Sequence, residues 1–561
     1  MKHLKKLYAL ILLLFVGFSL QAEDTLLRIL KDELQYQFTQ MQRTQPDLYY
    51  MDFHVTDQRV YSVTTSFGAT NQTSRTHVRN FVPMLRIGNK DFDNQIDPRQ
   101  TATIPGQRAV RLSSLPLEND PLAIRQAIWN ETFIRYQRAI SDLQRVTDES
   151  RLQLEMSDTM PSFSEAPVVV HFEEMLTGPE FEFDMEEWAE RMRRVSAVFL
   201  QHEEFITATA NVNFRIRRTY YVNTEGTSVV QNLTYANAGI NAMLRAEDGM
   251  ELPLSARFFA FVPGDLPSEE EMIAAAEDVA RRLLIMRTAP LVSPFTGPAL
   301  LSGAASGVFF HEIFGHRIEG QKMKSDRDGQ TFKRMVGEYV LPPTLSVFDD
   351  PTMRQYRGQD LNGFYVFDDQ GVRGERVTVV ENGILRNFLM TRTPIDGFDR
   401  STGHGRAEMG FDPDSRQSNL IISTSDPKSD EELRRLLIEE AIAQGREFGY
   451  FFKTVSGGFT QTGARAINAF NVTPLEVYRI YVDGRPDVMV RGVDLIGTPL
   501  SMFSRITYAG KPETAEVFIG NCGAGSGWVP VTAVSPTILV RQVEVQSKAR
   551  TMDREPILPR P

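Results

Sequence analysis

The amino-acid sequence predicts an α+β protein of two domains: a mixed α/β N-terminal domain and a strand-rich C-terminal domain. In the first half, apolar residues at helical spacing alternate with runs of β-branched and aromatic residues that are typical of strands. Beyond Glu338 strand signals dominate, among them Asn382-Gly383, a pair that favours a tight hairpin turn. Residues 288–298 contain three prolines, so we place the domain boundary there, between residues 290 and 291.

Residues 1–22 have the features of a secretory signal peptide. Three lysines stand within the first six residues, and residues 7–20 form an apolar run that ends before the acidic Glu23. The run is shorter than the roughly 20 apolar residues of a spanning helix, so we expect cleavage after residue 22; an uncleaved membrane anchor is the alternative. Cleavage implies an exported protein, periplasmic or extracellular, with no stable membrane span in its mature form.

The predicted N-terminal domain, residues 23–290, combines amphipathic helices with strands. Helices are expected where apolar residues recur at 3.6-residue spacing. Ser268 has the character of a helix N-cap, because the glutamates that follow it suit the positive end of the helix dipole. The expected helices are 26–41, 122–146, 185–202 and 268–286; the expected strands are 49–67, 81–87, 168–172 and 205–221; the expected irregular segments are 88–107 and 148–166.

The predicted C-terminal domain, residues 291–561, consists mainly of strands. Turn signals separate short runs of β-branched and aromatic residues, a long helix follows, and further strands extend to about residue 545. The first expected strands are 364–367, 376–381 and 384–389, and the expected helix is 431–448.

Composition and charge narrow the class of protein. Hydrophobic residues make up 42% and charged residues 24%, which is typical of a globular protein and excludes wholesale disorder and a multi-span membrane protein. The formal net charge of -11 would repel a phosphate backbone, so we expect no nucleic-acid partner. The single cysteine, Cys522, cannot form an internal disulfide; it is an inert buried residue, half of an intermolecular disulfide, or a metal-bound thiolate.

The segment His311-Glu312-Ile313-Phe314-Gly315-His316 carries the strongest chemical signal. Two imidazoles and a carboxylate this close together are the components of a zinc hydrolase. At a spacing of five residues, however, a regular α-helix would turn the two histidines about 140° apart. We therefore expect a π-bulge or a similar distortion at Gly315 that brings His316 beside His311. The alternative is that this apolar helix buries a histidine for structural reasons.

The second signal is the glycine-rich segment 520–527, which we expect to form a loop around Cys522. The segment lacks the Lys-Ser/Thr of a phosphate-binding loop, and it precedes residues with strand character. His311, His316 and Cys522 would together supply three zinc ligands and leave a fourth position for water, as catalytic zinc requires. A metal would also account for the unpaired cysteine.

With these residues the chain resembles the TldD/PmbA metallopeptidases, more closely the metal-bearing TldD side, whose motif is HExxxH with a distant cysteine in a GxCG-type loop. The resemblance runs through the C-terminal half; in the N-terminal half it is limited to a helix followed by strands. PmbA-type partners lack the zinc residues, so this chain is similar to the catalytic subunit. The landmarks in family order are Ser306-Gly307-Val308, Glu319-Gly320, Asp368-Asp369-Gln370-Gly371, 403–406, Gly457-Gly458, Cys522-Gly523, Val529-Pro530 and Ser535-Pro536.

The expected activity is zinc-dependent hydrolysis of peptide bonds, with one zinc per catalytic subunit. Zinc lowers the pKa of its bound water toward about 7, and Glu312 would serve as the general base that takes the proton. Glu319 would either orient an imidazole or cap a turn. His404 and Gln321 stand where the family more often has an asparagine and an aspartate; His404 is either a surface histidine or a contact of the site.

Two other classes of protein remain open at this point. A carboxylate-histidine iron enzyme could use His311, Glu312 or Glu319, and His316, although a thiolate with two imidazoles favours zinc. A non-catalytic binding protein would instead hold its zinc in a closed site of four protein ligands, and His404 is the candidate for the fourth.

The resemblance also implies partners. It implies a dimer, with an identical chain or with a PmbA-like subunit, and small or unfolded peptides as substrates. The better-known family members are cytoplasmic, so an exported relative need not share their substrates.

Overall fold

The computed structural model describes residues 24–95, 112–150, 160–324, 331–460, 470–496 and 499–547. The expected signal peptide, residues 1–22, lies outside these ranges, as do parts of the expected irregular segments 88–107 and 148–166. Among the helices of the described ranges, none is long and apolar enough to cross a membrane.

Helices and strands interleave in the first half of the chain. The strands described there pair into one sheet, in which β4 runs parallel to its neighbour and the other pairs are antiparallel. In chain order the elements are α1 (Thr25–Gln42), β1 (Leu48–Ser66), β2 (Ala69–Ile87), β3 (Ser113–Ser114), α2 (Pro121–Ser150), β4 (Val170–Phe172), α3 (Met185–Ala197), β5 (Phe205–Asn223), β6 (Ser228–Arg245), β7 (Glu251–Ala260) and α4 (Glu269–Thr288). The strand order is β3-β2-β1-β5-β6-β4, and β7 also pairs with β6.

The two faces of this sheet have different neighbours. Along β5, Phe214 packs in the cluster formed with α3 and α4, and Val222 packs in the cluster formed with α1 and α2. Tyr221 packs instead against Phe367 from the second half of the chain. Because successive side chains of a strand point to opposite faces, helices cover one face and the second half of the chain covers the other.

Among the described residues, the second half contains two larger sheets with a buried helix between them, and two small sheets of two strands each. In chain order its elements are β8 (Phe295–Leu301), α5 (Gly303–Ile313), β9 (Leu345–Asp349), β10 (Gln355–Tyr356), β11 (Gln359–Asp360), β12 (Val377–Glu381), β13 (Ile384–Leu385), β14 (Gly405–Arg406), β15 (Asp414–Ser415), β16 (Asn419–Thr424), β17 (Pro427–Lys428), α6 (Asp430–Ala443), β18 (Phe448–Thr460), β19 (Phe470–Tyr481), β20 (Val488–Val490), β21 (Val493–Ile496), α7 (Pro499–Phe503), β22 (Ile506–Gly510), β23 (Glu516–Ala524), β24 (Gly527–Ser535) and β25 (Ile538–Ser547).

These strands form two larger sheets that enclose α5. One sheet has the order β13-β12-β9-β16-β24-β23, so β23 lies at its edge. The other has the order β17-β22-β25-β21-β19-β18-β8, with β20 on β19, and β25 also pairs with β8. That last pairing closes β8, β18, β19, β21 and β25 into a ring. Helix α5 packs against β18 on one side and against β23 and β24 on the other.

The structure confirms the α+β class and the four helices expected in the first half, with changes at their ends. The helix expected at 185–202 ends at Ala197 and continues as a 3₁₀ turn, Val198–Gln201. Ser268 accepts a hydrogen bond from the Glu271 amide, and the Glu271 carboxylate accepts one from the Ser268 amide, which forms a capping box. The domain boundary at residues 290 and 291 falls in the connection from α4 to β8 and stays a prediction.

Other boundaries were wrong in the first half because tertiary pairing overrides local signals. The expected strand 81–87 is the end of β2, which starts at Ala69; most residues before Asn80 are polar and exposed, so they lack the alternation of a half-buried strand. Strands β6 and β7 were not predicted at all. The expected strand 168–172 is shorter and begins at Val170.

In the second half, the strand expected at 364–367 is wrong. The Tyr365 amide donates to the carbonyl of Pro351, and the Phe367 amide donates to the side chain of Gln231 at 3.2 Å, so these groups do not join a ladder. The strand expected at 384–389 is reduced to β13, although the Asn382-Gly383 turn before it is confirmed by positive φ values of 48° and 82°.

The helix expected at 431–448 ends early. Helix α6 stops at Ala443 because Gly445 adopts a left-handed conformation, with φ of 64°, and its amide donates to the carbonyl of Ile442. The chain then enters β18 at Phe448. The apolar residues at 448–452 belong to that strand and not to the helix.

Helix α5 approaches its neighbours unusually closely at its glycines. A Cβ atom at Gly303 would lie 2.4 Å from the carbonyl oxygen of Ser535, and one at Gly307 would lie 3.2 Å from the Cβ of Ala533. Both contacts are with the strand β24. The absence of a side chain at these two positions lets the helix lie against the sheet.

We expect Gly303→Ala to lower the free energy of unfolding by about 1–3 kcal/mol, because the added methyl group would overlap the backbone of β24. Chemical denaturation followed by circular dichroism measures this change. Gly264→Ala is the matched control, because a Cβ atom at Gly264 meets no other atom within 4 Å. Equal stability of the two variants would contradict the close packing of α5.

Candidate metal centre

Helix α5 ends inside the sequence motif and does not continue through it. Its last residue is Ile313, and Gly315–Arg317 form a 3₁₀ turn. Because the regular helix has ended before His316, the 140° divergence of a continuous α-helix no longer applies. His316 lies beside His311, with ring centroids 5.1 Å apart and ring planes at 75°. The expected distortion occurs, but as a helix end; the expected π-bulge is wrong.

The side chains of Arg317 and Gln417 contact the backbone around this turn. The Arg317 guanidinium donates to the carbonyl of Ile313 at 2.8 Å and so satisfies a group that the helix end leaves open. Gly315 has a different role from the one expected, because a Cβ atom there would lie 1.9 Å from the side-chain oxygen of Gln417. Gly315 is therefore needed because the Gln417 side chain packs directly against its backbone. It does not form the expected π-bulge.

Cys522 lies on a strand and not in a loop, which corrects the expectation for residues 520–527. It pairs with Val529 across the antiparallel hairpin of β23 and β24, whose turn is only Gly525-Ser526. The glycine-rich composition predicted a loop, but Gly523 lies in a strand and has a packing role there. A Cβ atom at Gly523 would lie 2.9 Å from the indole of Trp528, its cross-strand partner. The strand places the Cys522 side chain inside the protein, with 2% exposure.

The fold brings His311, His316 and Cys522 together from positions far apart in the sequence. One donor atom from each of these side chains lies within 4.8 Å of the others, and among the described residues this cluster contains no further His, Cys, Asp or Glu. The Cys522 sulfur lies 3.4 Å from Nε2 of His316. The structure therefore places the three expected ligands in one buried cluster.

The donor set fits zinc. Two imidazole nitrogens and one thiolate sulfur are ligands that zinc binds at about 2.0–2.3 Å. In a tetrahedral arrangement such ligands lie within about 4 Å of one another, close to the spacing of this cluster. Hard cations such as magnesium and calcium prefer oxygen ligands, which this set lacks.

The cluster is strongly polarised by its own charges. Burial alone would raise the pKa of the Cys522 thiol, but His316, Arg416 and His311 bring it well below its usual value. Burial would likewise lower the pKa of His316, but the Cys522 thiolate and Glu319 raise it to about 10. Without a metal, the site therefore favours a thiolate beside an imidazolium, and a cation that displaces the imidazolium proton finds its sulfur ligand already ionised.

Glu312 lies beside the cluster. Its Oε2 atom is 3.9 Å from Nε2 of His316, the nitrogen that faces Cys522. Burial raises the pKa of the Glu312 carboxyl above its ordinary value. A carboxylate with a raised pKa, next to a group of metal-binding atoms, suits the acceptance and return of a proton. Glu312 is buried, with 8% exposure, and is not a surface residue.

Glu319 contacts the imidazole of His316 on its far side. The Oε2 atom of Glu319 lies 3.2 Å from Nδ1 of His316, and the same carboxylate binds the ammonium group of Lys322. Burial would raise the pKa of Glu319, but Lys322 and His316 lower it, so the carboxylate is charged. An anion at Nδ1 leaves Nε2 directed toward the cluster. Of the two roles expected for Glu319, the contact matches the orientation of an imidazole.

His404 does not join the cluster, and the expectation of a surface histidine is wrong. Its side chain is fully buried, with Nε2 at 3.1 Å from Asp349 and Nδ1 at 3.0 Å from the carbonyl of Thr402. Its own carbonyl accepts a hydrogen bond from the backbone amide of Arg416.

Sequence reasoning missed Arg317, Arg416 and Gln417, although each contacts the motif or the hairpin. Arginine and glutamine are common surface residues, and no local pattern in the sequence sets these three apart. The nearest family landmarks in the sequence are Glu319 for Arg317 and residues 403–406 for Arg416 and Gln417, and neither includes these residues.

Comparisons with known proteins place the chain in a family. The family model described as the PmbA/TldA metallopeptidase central domain matches residues 178–287, and the model described as the PmbA/TldA metallopeptidase C-terminal domain matches residues 295–547. Together they cover more than half of the chain.

Curated relatives have corresponding names. A metalloprotease of Archaeoglobus fulgidus is 30% identical over 242 residues, which cover 43% of this chain and 51% of the relative. A TldD homologue of Haemophilus influenzae, named a metalloprotease, is 24% identical over 290 residues, which cover 51% of this chain and 55% of the relative. The chain spans about half the length of these relatives.

Solved structures share the fold over nearly the whole chain. TldE from Thermococcus kodakarensis superposes with a TM-score of 0.59 at 13% identity and covers 93% of this chain and 100% of that protein. A putative modulator of a DNA gyrase from Thermotoga maritima gives a TM-score of 0.59 at 16% identity and covers 92% of this chain and 99% of that protein. With the two family models, these likenesses lead to one conclusion: the chain belongs to the TldD/PmbA metallopeptidase family.

Proposed function

We propose that this chain is a zinc-dependent peptidase and the metal-bearing subunit of its assembly. The observation that carries the proposal is the buried cluster of His311, His316 and Cys522, with donor atoms within 4.8 Å of one another. Several relatives are named metalloproteases, and a zinc metalloprotease TldD homologue of Saccharolobus solfataricus is 25% identical over 259 residues. Small or unfolded peptides are the proposed substrates.

Each side chain of the site has a role in the proposed reaction. Zinc, when bound, lowers the pKa of a water molecule and polarises the scissile carbonyl. His311, His316 and Cys522 would hold the metal, and Glu319 would keep the His316 ring in its orientation through Nδ1. Glu312 would take a proton from the attacking water at Oε2 and then deliver it to the leaving amine.

The two other classes fit the cluster less well. The carboxylate-histidine iron site lacks support because the sulfur of Cys522 lies among the donor atoms, and thiolate with imidazole favours zinc. A closed structural zinc site needs a fourth protein ligand, and His404 was the candidate. His404 bonds Asp349 instead, and the cluster within the described residues has no fourth member.

We expect about one zinc per chain in the purified mature protein and cleavage of casein-derived peptides that a chelator abolishes. Cys522→Ala removes the sulfur ligand, so both zinc and cleavage should be lost. Glu312→Gln should retain zinc but lose cleavage by at least about 100-fold, because the amide cannot take the proton. Metal mass spectrometry and mass-spectrometric detection of the peptide products measure the two quantities.

The control variant for this experiment is His77→Ala. His77 lies in β2, where it pairs with Asp57 and is partly exposed, so its loss should change neither zinc content nor cleavage. Zinc retained by Cys522→Ala would remove Cys522 from the ligands. Full cleavage by Glu312→Gln would remove Glu312 from the reaction.

We also propose that the chain assembles with a second copy through α2. Apolar side chains on one face of this helix are exposed, and the rings of Trp129 and Phe133 stack on each other, 5.9 Å apart. Four of the exposed apolar positions lie symmetrically about Glu131, so an antiparallel copy would place Leu122 against Ile140 and Trp129 against Phe133. Their exposed fractions are Leu122 78%, Trp129 49%, Phe133 42% and Ile140 39%.

Light scattering after size-exclusion chromatography tests this assembly. The wild-type chain should be a dimer, and Trp129→Glu with Phe133→Glu should make it a monomer, because charged groups would replace the apolar contact. Leu200→Glu, at a residue 54% exposed elsewhere on the surface, should remain a dimer. A monomeric wild-type chain would contradict self-assembly and favour a PmbA-like partner; a dimeric double variant would exclude α2 as the interface.

We also propose that the peptidase is exported, because the lysines and the apolar run in residues 1–22 have the features of a secretory signal peptide. Expression of the full chain in a bacterial host, followed by fractionation and N-terminal sequencing, should give a mature form that begins at Glu23 in the periplasm or the medium. Replacing apolar residues within 7–20 by charged ones should keep the precursor in the cytoplasm. An uncleaved chain in the membrane fraction would favour the anchor alternative.

A further inference from the structure

Arg416 is a fully buried arginine in the short connection between β15 and β16. It has 0% exposure, and it lies in neither the HExxxH motif nor the hairpin that carries Cys522. A guanidinium removed from water is stable only where acceptors and opposite charges surround it. The partners of the guanidinium therefore indicate which parts of the structure Arg416 connects.

On one side, Arg416 binds the end of the β23–β24 hairpin. Its guanidinium donates to the carbonyl of Cys522, to the hydroxyl of Ser526 at 2.8 Å and to the carbonyl of Gly527 at 3.0 Å. These acceptors lie on both strands and in the turn between them. Because β23 is an edge strand, this clamp supplies a lateral support that a neighbouring strand would otherwise give.

On the other side, Arg416 pairs with the residue that contacts a proposed ligand. Its Nε atom lies 3.7 Å from Oε1 of Glu319, and Oε2 of the same carboxylate lies 3.2 Å from Nδ1 of His316. One guanidinium thus links the His316 side of the cluster to the Cys522 side. These two residues are 206 positions apart in the sequence.

The backbone of Arg416 is itself held firmly. Its amide donates to the carbonyl of His404, whose imidazole binds Asp349 at 3.1 Å. The Asp349 carboxylate also accepts a hydrogen bond from the Ser418 amide. The buried histidine that lies outside the metal cluster therefore supports the strand connection from which Arg416 extends.

We propose that Arg416 is the positioning residue that sets the distance and orientation between Cys522 and His316, and so the affinity of the site for its metal. This inference rests on the proposed function. Lysine cannot replace Arg416, because a single ammonium group lacks the planar set of donors that reaches the hairpin and Glu319 at once. Arg416 acts through Cys522 and Glu319 and is not proposed to touch substrate.

The test compares Arg416→Lys with Arg392→Lys. Arg392 is an equally buried arginine that binds the carbonyl of Ser164 and the carboxylate of Glu225, away from the cluster. Both substitutions should lower Tm. Only Arg416→Lys should weaken zinc binding, by about 10–100-fold in competition with a chromophoric chelator, because it removes support from the ligands. Only this variant should also alter the thiolate-to-cobalt absorption of the cobalt(II) form.

A third readout does not depend on any metal. Cys522 is the single cysteine, so the rate at which a thiol reagent modifies the folded protein, after removal of metal and of unfolded chains, reports on this one position. Arg416→Lys should raise that rate at least about tenfold, since local opening of the hairpin would expose the sulfur, and Arg392→Lys should leave it unchanged.

The outcomes separate this inference from the proposed function. If Arg416→Lys lowers Tm like the control and changes neither zinc affinity, cobalt absorption nor thiol reactivity, the inference is overturned. A wild-type protein that binds neither zinc nor cobalt contradicts the proposed function, and the thiol rates alone then decide the role of Arg416. If Arg416→Lys does not fold, Ser526→Ala, which removes one acceptor of the guanidinium, should weaken zinc binding severalfold; an unchanged affinity would overturn the inference.

Discussion

The burial of α5 between two sheets is the constraint on which the rest of the site depends. Every residue of this helix except Ala304 is buried, and glycines at 303 and 307 let it lie against β24. A helix in this position carries every polar residue at its end into the interior. His311 and Glu312 are therefore buried, and each needs a partner that offsets the loss of water.

The partners come from other parts of the chain, and they explain the charge of the cluster. The Cys522 sulfur approaches His316 from the edge strand β23, and Glu319 approaches the same ring from the opposite side. Arg416 lies between Glu319 and the hairpin and balances both negative groups. Opposite charges alternate through the cluster, which is how a low-dielectric interior accommodates several ionised groups. A divalent metal bound by these residues would take the place of the imidazolium proton and add one further positive charge beside the thiolate.

The sequence predicts the structure correctly where a local rule decides it. Ser268 caps α4 as expected, because a hydroxyl and a glutamate three residues later satisfy the first amides of any helix. Asn382-Gly383 forms its turn for an equally local reason, since both residues adopt positive φ. Segments whose partners are distant in the sequence were predicted wrongly: β6 and β7 were not predicted, and α6 was predicted to extend into the strand that follows it. Such segments have their conformation chosen by the sheet they join.

The same division holds for the site. The types and order of its residues were sufficient to propose His311, Glu312, His316 and Cys522 as the components of the site, because two imidazoles and a carboxylate stand within six residues and the chain has a single thiol. Only the tertiary structure decided that a helix end and a 3₁₀ turn, with no π-bulge, bring the histidines together. Only the fold brought Arg416 to both sides of the cluster. The chemical type of each side chain is given by the sequence. The distances between these side chains depend on how sheets from distant segments pack around α5.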